Sequence, residues 1–209
     1  MALLDQISEK LQAGKAKEVV ALVQQAIDEG VAAETILNDG LLAGMDIIGE
    51  KFKNNEIYVP EVLVAARAMS KGAALLKPLL QDAGSQAAGK VCIGTIEGDL
   101  HDIGKNLCVL MLKNYGFEVI DLGKDVPASV IVDAALENNA VAIGLSALMT
   151  TTMIKMKDVV DLAKEKGCTA KIAIGGACIT DDYAKEIGAD GYSEDAAGCV
   201  RLIKKLLEE

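Results

Sequence analysis

Two kinds of hydrophobic pattern divide the chain. In residues 1–83 the apolar side chains recur every three or four positions, as they do along one face of an amphipathic helix. The first segment places Leu4, Ile7 and Leu11 on one such face. Three more segments follow, and the last begins at Pro60, a residue suited to a first helical turn. Joined by short turns, the four segments predict an antiparallel four-helix bundle.

From residue 90 onward, short apolar runs alternate with segments of helical length. Near-continuous apolar runs are typical of strands in a parallel sheet that is covered on both faces. Five such β–α units predict a flavodoxin-like α/β domain, and they favour the strand order 2-1-3-4-5, which spacing alone does not establish. The predicted strands are KVCIGTI (90–96), FEVIDLG (117–123), AVAIGLS (140–146), KIAIGG (171–176) and GYSE (191–194).

The stretch between the two patterns, QDAGSQAAG, is small and polar. Such a composition is typical of a flexible linker. The sequence therefore predicts a helical domain over residues 1–83, a linker over 84–89 and an α/β domain over 90–209.

Charge, apolar runs and cysteine spacing limit the partners and the cellular compartment that are expected for this protein. The net charge of −10 argues against a nucleic-acid partner, because phosphate binding needs clustered Lys and Arg. No apolar run is long enough to span a bilayer, and the amphipathic start does not resemble a signal peptide, so no membrane partner is expected. The five cysteines lack CxxC spacing. They predict reduced thiols in a cytoplasmic protein.

Unusual residues follow three of the predicted strands. Ligands of open α/β sheets bind beyond the carboxyl ends of the strands, near the switch point between strands 1 and 3. The loops at that place are Gly98–Gly104 after strand 1, Ser146–Thr152 after strand 3 and Gly175–Ala177 after strand 4.

His101, the only histidine of the chain, lies in the first of these loops. It could be an ordinary structural histidine, or a general base, although no nucleophile accompanies it. A zinc site needs three or four ligands, and the chain has neither further histidines nor paired cysteines. A cofactor that brings its own metal, such as a haem or a corrin, needs only one imidazole from the protein. Asp99 could then accept the second ring N–H and orient the ligand.

The spacing of these loops resembles that of a known family. Asp99-x-His101-x-x-Gly104 is followed after 41 residues by Ser146-Ala-Leu, and after 26 more by Gly175-Gly. The chain in this respect resembles the cobalamin-binding module of methionine synthase, and more closely the corrinoid proteins of anaerobic methyltransferase systems. The resemblance covers nearly the whole chain, because the helical segment matches the cap domain of that family.

The resemblance implies a role for each matching residue. His101 would be the lower ligand of cobalt, would displace the dimethylbenzimidazole of the cofactor, and would form a ligand relay with Asp99 and Thr152. Ser146 would bond the displaced benzimidazole, and the glycine pair would leave room for the nucleotide tail. A weaker assignment brings Ser193, Glu194 and Asp195 to the nucleotide. The implied cofactor-binding residues are Gly98, Asp99, His101, Asp102, Ile103, Gly104, Ser146, Leu148, Met149, Thr150, Thr152, Gly175, Gly176 and Ala177.

The same resemblance implies a cap, a cofactor and partners. Phe52, Val59 and Val62 would lie over the upper face of cobalt, although they could equally be bundle core. The cofactor would be cobalamin, as methylcobalamin or cob(I)alamin, or a related corrinoid. The chain would carry a methyl group from a donor-specific methyltransferase to a second methyltransferase that acts on coenzyme M or tetrahydrofolate. A reductive activase is a further candidate partner, and the methyl donor stays open.

Two other functions use the same type of domain. A cobalamin-dependent sensor or regulator would normally carry a DNA-binding module or a basic patch, and the N-terminal half is neither. A cobalamin subunit of a carbon-skeleton mutase would use adenosylcobalamin, and the helical cap speaks against it.

Overall fold

A computed structural model of the chain describes residues 2–82 and 88–208. The chain forms two compact units, Met1–Gln86 and Ala87–Glu209. Most of the predicted linker, residues 83–87, lies outside the described residues, so the linker stays a prediction.

The first unit is helical, as predicted. The first helix, α1, packs on α2, and α2 packs along α4. Pro60 lies in the first turn of α4, and the helix continues past Pro78. The helices are α1 (Leu3–Gln12), α2 (Ala16–Asp28), α3 (Ala33–Thr35, Ile36–Leu42 and Ala43–Lys53 in direct succession) and α4 (Val59–Asp82).

The middle of α3 is a π-helical segment, Ile36–Leu42, which the apolar periodicity did not predict. Helix α3 crosses α1 closely at two glycines. A Cβ built at Gly40 would lie 3.3 Å from Ile7 Cγ2, and one built at Gly44 would lie 3.2 Å from Ser8 Cα. Residues four apart share a helix face, so the two glycines together allow the close approach of α1.

The second unit is a five-stranded, all-parallel sheet with the order β2-β1-β3-β4-β5, which confirms the favoured topology. Helices connect successive strands. The elements are β1 (Lys90–Thr95), α5 (Ile103–Asn114), β2 (Glu118–Asp121), α6 (Ala128–Glu137), β3 (Ala142–Ser146), α7 (Thr150–Met153), α8 (Lys155–Glu165), β4 (Lys171–Gly175), α9 (Asp181–Ile187), β5 (Gly191–Ser193) and α10 (Ala196–Glu208).

Burial separates the central strands from the edges. The strands β1, β3 and β4 are largely buried and form the core with α6 and α8. The two edge strands are less buried than the central ones. In β2 both Glu118 and Asp121 are exposed, and β5 is only half-buried. An edge strand has one neighbour only, so polar residues at its ends reach water.

The strands are also shorter than the apolar runs. Ile96, Gly123 and Gly176, which the sequence assigned to strands, lie in the loops that leave the carboxyl ends. All five cysteines are free thiols. Among the helices of the described residues, none combines the length and the apolar character that a bilayer-spanning helix requires.

Candidate functional site

The sheet register brings the three predicted loops to one edge. Thr95 at the end of β1 pairs with Ser146 at the end of β3, and Ser146 pairs with Gly175 at the end of β4. Because the strands are parallel, the loops that follow them leave the sheet side by side. His101 lies in the first loop, just before α5, and its side chain is half-exposed.

Asp99 is the organising residue of this edge. Its side chain is fully buried and accepts five hydrogen bonds. Oδ1 accepts from the backbone N of His101 at 3.0 Å and from His101 Nδ1 at 2.7 Å. Oδ2 accepts from Leu148 N at 2.8 Å, Met149 N at 3.3 Å and Thr152 Oγ1 at 2.7 Å. One carboxylate therefore joins the loop after β1 to the loop after β3.

The protonation state of this pair follows from its surroundings. Burial raises the pKa of Asp99 by desolvation, but hydrogen bonds from His101 N, Leu148 N and Thr152 Oγ1 lower it by more, so the pKa lies well below its ordinary value. Asp99 is thus an ionised acceptor at neutral pH. An ionised carboxylate can only accept, so the proton of the shared bond resides on His101 Nδ1, and in the tautomer with this single ring proton the lone pair of Nε2 is free.

The main chain of His101 is fixed at both ends. Its N–H donates to Asp99, and its carbonyl oxygen accepts a hydrogen bond from Thr95 Oγ1 at 3.2 Å. Thr95 is fully buried at the end of β1. Within the described part of the chain, no hydrogen bond to Nε2 of His101 is formed, so this nitrogen is available to a ligand.

Large apolar side chains are exposed in both of the loops that Asp99 joins. Ile103 is 75% exposed and Leu100 is 61% exposed, and both flank His101 in the chain. Leu148 and Met149, whose backbone amides bind Asp99, are also exposed. Large apolar residues in such exposed groups indicate a surface that another molecule covers.

Two further polar groups of the loops differ in their environment. The Thr152 hydroxyl is buried and lies 3.0 Å from Met149 O as well as 2.7 Å from Asp99 Oδ2. The Ser146 hydroxyl has no hydrogen-bond partner among the residues that the structure describes. It is therefore free to bind a ligand.

The glycine pair after β4 is required by the packing of the protein itself. Gly176 has φ +135°, and a Cβ built there would lie 1.8 Å from the carbonyl oxygen of Ala147. A Cβ at Gly175 would lie 2.9 Å from the carbonyl oxygen of Ser193. Neither position has room for a side chain, with or without a nucleotide tail.

Gly176→Ala is expected to destabilise the cofactor-free protein by about 3 kcal/mol or more, because backbone strain and a clash with backbone act together. Gly116→Ala is the matched control, since Gly116 also has positive φ (+86°) but open space around its Cβ position. The difference between the free energies of unfolding of the two variants, measured in urea, gives the contribution of the clash. Equal losses of stability in the two variants would contradict it.

Not every predicted site residue comes into this group. Phe52, Val59 and Val62 belong to the helical unit, where Val62 is buried and the other two are half-buried. Their place over a cofactor stays a prediction. Sequence reasoning also missed two contributors, Thr95 and Asp125. The favoured strand order could have indicated Asp125, because it places the loop after β2 beside the loop after β1.

The donor set at this edge is small. Nowhere in residues 2–82 and 88–208 do three or more His, Cys, Asp or Glu side chains gather in a way that could hold a metal ion. The site offers one imidazole, an ionised carboxylate that orients it, and exposed apolar residues in the same loops. This combination suits a ligand that needs a single axial donor from the protein.

Known proteins show the same organisation. Residues 89–200 match the B12 binding domain family, and residues 3–77 match a second family also described as a B12 binding domain. A corrinoid protein of Desulfitobacterium hafniense is 40% identical over 99% of this chain and 98% of its own length. The dimethylamine corrinoid protein of Methanosarcina barkeri is 42% identical over 98% of this chain and 97% of its own length.

Solved structures agree with these relatives. A cobalamin-binding protein from Desulfitobacterium hafniense superposes with a TM-score of 0.84 at 30% identity and covers 97% of both chains. A chain of the methanol:cobalamin methyltransferase complex from Methanosarcina barkeri gives a TM-score of 0.81 at 31% identity, over 99% of this chain and 80% of that one. The chain therefore belongs to the family of B12-binding corrinoid proteins.

Proposed function

We propose that this protein carries methyl groups between two methyltransferases on a corrinoid that His101 ligates from below. The observation that supports this most directly is the free Nε2 of His101, on an imidazole whose Nδ1 is hydrogen-bonded to the buried Asp99. The relatives add the functional class, because their names and that of the methanol complex refer to corrinoid proteins and cobalamin methyl transfer.

The residues present fit a corrin. A corrin holds its metal in a ring of its own and leaves only axial positions to the protein, so one imidazole suffices. Leu100, Ile103, Leu148 and Met149 provide exposed apolar surface in the two loops that Asp99 joins. The hydrogen bond from Nδ1 to a carboxylate strengthens Nε2 as a donor, as carboxylate partners do for metal-bound histidines.

When bound, the corrinoid supplies a cobalt centre that accepts and releases a methyl group. The chain supplies orientation. Asp99 holds the proton on Nδ1 of His101, and Thr152 with two backbone amides holds Asp99. A proton added to this relay would weaken Nε2 as a donor, so the Asp99–His101 pair would set how strongly the imidazole holds a bound metal.

The base-off arrangement, in which histidine replaces the benzimidazole of the cofactor, belongs to the same proposal. Ser146 would receive the displaced benzimidazole, since its hydroxyl has no partner among the described side chains and lies one strand away from the His101 loop. The glycine pair is explained by protein packing, so it adds no independent support for a tail-binding slot.

The partners follow from the carrier role. A donor-specific methyltransferase would load the methyl group, a second methyltransferase would pass it to coenzyme M or tetrahydrofolate, and a reductive activase would restore the reduced cofactor. The helical unit would serve as the cap, which agrees with its match to a B12 binding domain family.

Methyl loading from labelled donors tests the carrier role. The protein reconstituted with hydroxocobalamin is reduced and incubated with methyl-¹³C dimethylamine, trimethylamine or methanol, with and without a methyltransferase encoded beside its gene. We expect labelled methyl on the bound corrinoid, detected by mass spectrometry, only with the methyltransferase present. Loading without any partner, or no loading by any partner of a fully reconstituted protein, would refute the carrier role.

A further inference from the structure

The loop after β2 forms hydrogen bonds with the His101 loop, on the side of β1 opposite β3. Asp125 Oδ1 accepts a hydrogen bond from Gly98 N at 2.7 Å, and Asp125 N donates to the carbonyl oxygen of Asp99 at 3.1 Å. Asp125 therefore binds two successive residues of the loop, once with its side chain and once with its backbone. Nothing in the sequence pattern of this loop marks it as part of the site.

Asp99 is held at its carboxylate and at its main chain by different loops. Its carboxylate is held by Leu148, Met149 and Thr152 from the β3 side. Its main chain is held by Asp125 from the β2 side. With the carboxylate fixed, the position of the Asp99 main chain is what decides whether Oδ1 can meet both His101 N and His101 Nδ1. That main chain is held by Asp125 N and by its own N–H, which donates to Ile96 O at 3.1 Å, while the Asp125 side chain holds the preceding residue, Gly98.

The loop after β2 is itself firmly anchored. Gly123 O accepts from Thr95 N at 3.0 Å, and Gly123 N donates to Asp121 Oδ1 at 3.0 Å. The same Oδ1 receives Lys105 Nζ at 2.5 Å, and Lys105 is 2% exposed in the first turn of α5. The segment from Gly98 to Lys105, which contains His101, is thus bonded to the loop after β2 at one end and to the last residue of β2 at the other.

The backbone of Asp125 supports the same view. Its φ is +56°, a conformation that non-glycine residues adopt rarely and that Asp and Asn tolerate best. Such a conformation persists only where surrounding contacts impose it. In this conformation Asp125 makes its contacts to Gly98 and Asp99.

We propose that Asp125 is a positioning residue for His101, which holds the Asp99–His101 pair in the geometry that keeps the Nδ1 proton in place and Nε2 free. The consequence for cobalt ligation rests on the proposed function, whereas the consequence for the imidazole does not. The two can therefore be tested separately.

Three variants separate side chain from backbone. Asp125→Gly removes the acceptor but adopts positive φ without strain. Asp125→Asn keeps an oxygen acceptor and tolerates the same φ. Lys124→Ala is the matched control, because Lys124 is exposed in the same loop and has no side-chain partner among the described residues. Since Asp125 is also exposed, all three variants are expected to fold, and circular dichroism checks this.

The imidazole is measured first, in cofactor-free protein. His101 is the only histidine, so ¹⁵N-histidine labelling yields the signals of this ring alone. At about pH 9, above the ordinary pKa of histidine, the ¹⁵N shifts identify the tautomer. We expect a single Nδ1–H tautomer in the wild type, Lys124→Ala and Asp125→Asn, and a mixture of tautomers in Asp125→Gly.

Cofactor affinity is measured second, with hydroxocobalamin. Asp125→Gly is expected to bind about 10- to 100-fold more weakly than the wild type, the usual cost of losing a residue that orients a metal ligand, and Asp125→Asn to restore binding. A single Nδ1–H tautomer in Asp125→Gly overturns the proposal, whatever the affinity. If the tautomer changes as expected but the wild type binds no cobalamin, the positioning role stands and the proposed function fails.

Discussion

Asp99→Asn is expected to lower the free energy of unfolding of the cofactor-free protein by about 3 kcal/mol. Both carboxylate oxygens accept hydrogen bonds in a fully buried position. An asparagine amide can place only one oxygen there. Its NH₂ group then faces N–H and O–H donors either at His101 or at the loop of Leu148 and Thr152, and at least two buried donors lose their acceptor.

Urea unfolding followed by circular dichroism measures this loss, with separate transitions allowed for the two compact units. Asp133→Asn is the matched control, because Asp133 is half-exposed and pairs with Lys166 on the surface of the same unit. Its effect is expected to stay within about 0.5 kcal/mol. An Asp99→Asn protein as stable as this control would show that the five hydrogen bonds do not organise the site.

The effect of Asp99→Asn depends on pH in a definite direction. The pKa of Asp99 in the folded protein lies below its ordinary value of 3.8. Its contribution to stability is therefore complete above pH 3.8 and declines as the pH falls toward the folded-state pKa. Asparagine does not titrate, so the stability difference between wild type and variant should shrink by about 1 kcal/mol between pH 7 and pH 3. A constant difference would contradict the lowered pKa.

His101→Ala is expected to act on the cofactor and spare the fold. The side chain is 52% exposed, so its removal costs little stability. Because His101 is the proposed ligand of the metal, its loss should weaken hydroxocobalamin binding by more than the roughly 10- to 100-fold that the loss of an outer-shell partner costs. Equilibrium dialysis measures the affinity, and urea unfolding confirms the intact fold. Lys124→Ala again provides the control, with unchanged affinity expected.

The ligating atom itself is identified by isotope labelling. In the cobalt(II) form, an axial ¹⁴N splits the electron paramagnetic resonance lines into triplets and an axial ¹⁵N into doublets. With ¹⁵N-histidine in the protein and unlabelled cofactor, doublets assign the axial nitrogen to His101. Triplets would mean that the benzimidazole of the cofactor is still bound to its own cobalt, and the base-off proposal would be wrong.

The two variants are informative together because they separate two roles. Asp99 supports both the fold and the orientation of the imidazole, so its loss should reduce stability and weaken binding. In the proposed function His101 contributes to cofactor binding and not to the fold. Its loss should therefore weaken cofactor binding without reducing stability. A destabilised His101→Ala protein would mean that the histidine is part of the core, which is the alternative that the sequence left open.

Much of the architecture followed from local pattern. The helical period of residues 1–83 and the alternation of apolar runs and helical segments after residue 90 are properties of neighbouring residues, and both features are found in the structure. The π-helical turn at Ile36–Leu42 was not predictable in this way. A π-helical turn is wider than an α-helical turn by one residue, and apolar residues four positions apart occur in both. The apolar pattern therefore does not distinguish the two types of turn.

The site was predictable in part. The sequence brought His101, Asp99 and Thr152 to neighbouring loops through the position of each after its strand, and the structure joins them by hydrogen bonds of 2.7 Å. The role of the glycine pair was less predictable. Sequence spacing cannot distinguish a glycine that makes room for a ligand from one that makes room for Ala147 O.

The sequence by itself determined the two classes of structure, the strands of the sheet and the place of His101 in the loop after β1, because these depend on side-chain type and order along the chain. Only the tertiary structure decided how the His101 loop is held. Asp125 lies 24 positions after His101 along the chain, and Leu148 lies 47 positions after it. Their contacts arise because parallel pairing places β2 and β3 on either side of β1, and backbone amides, which every residue has, supply three of the five bonds to the Asp99 carboxylate.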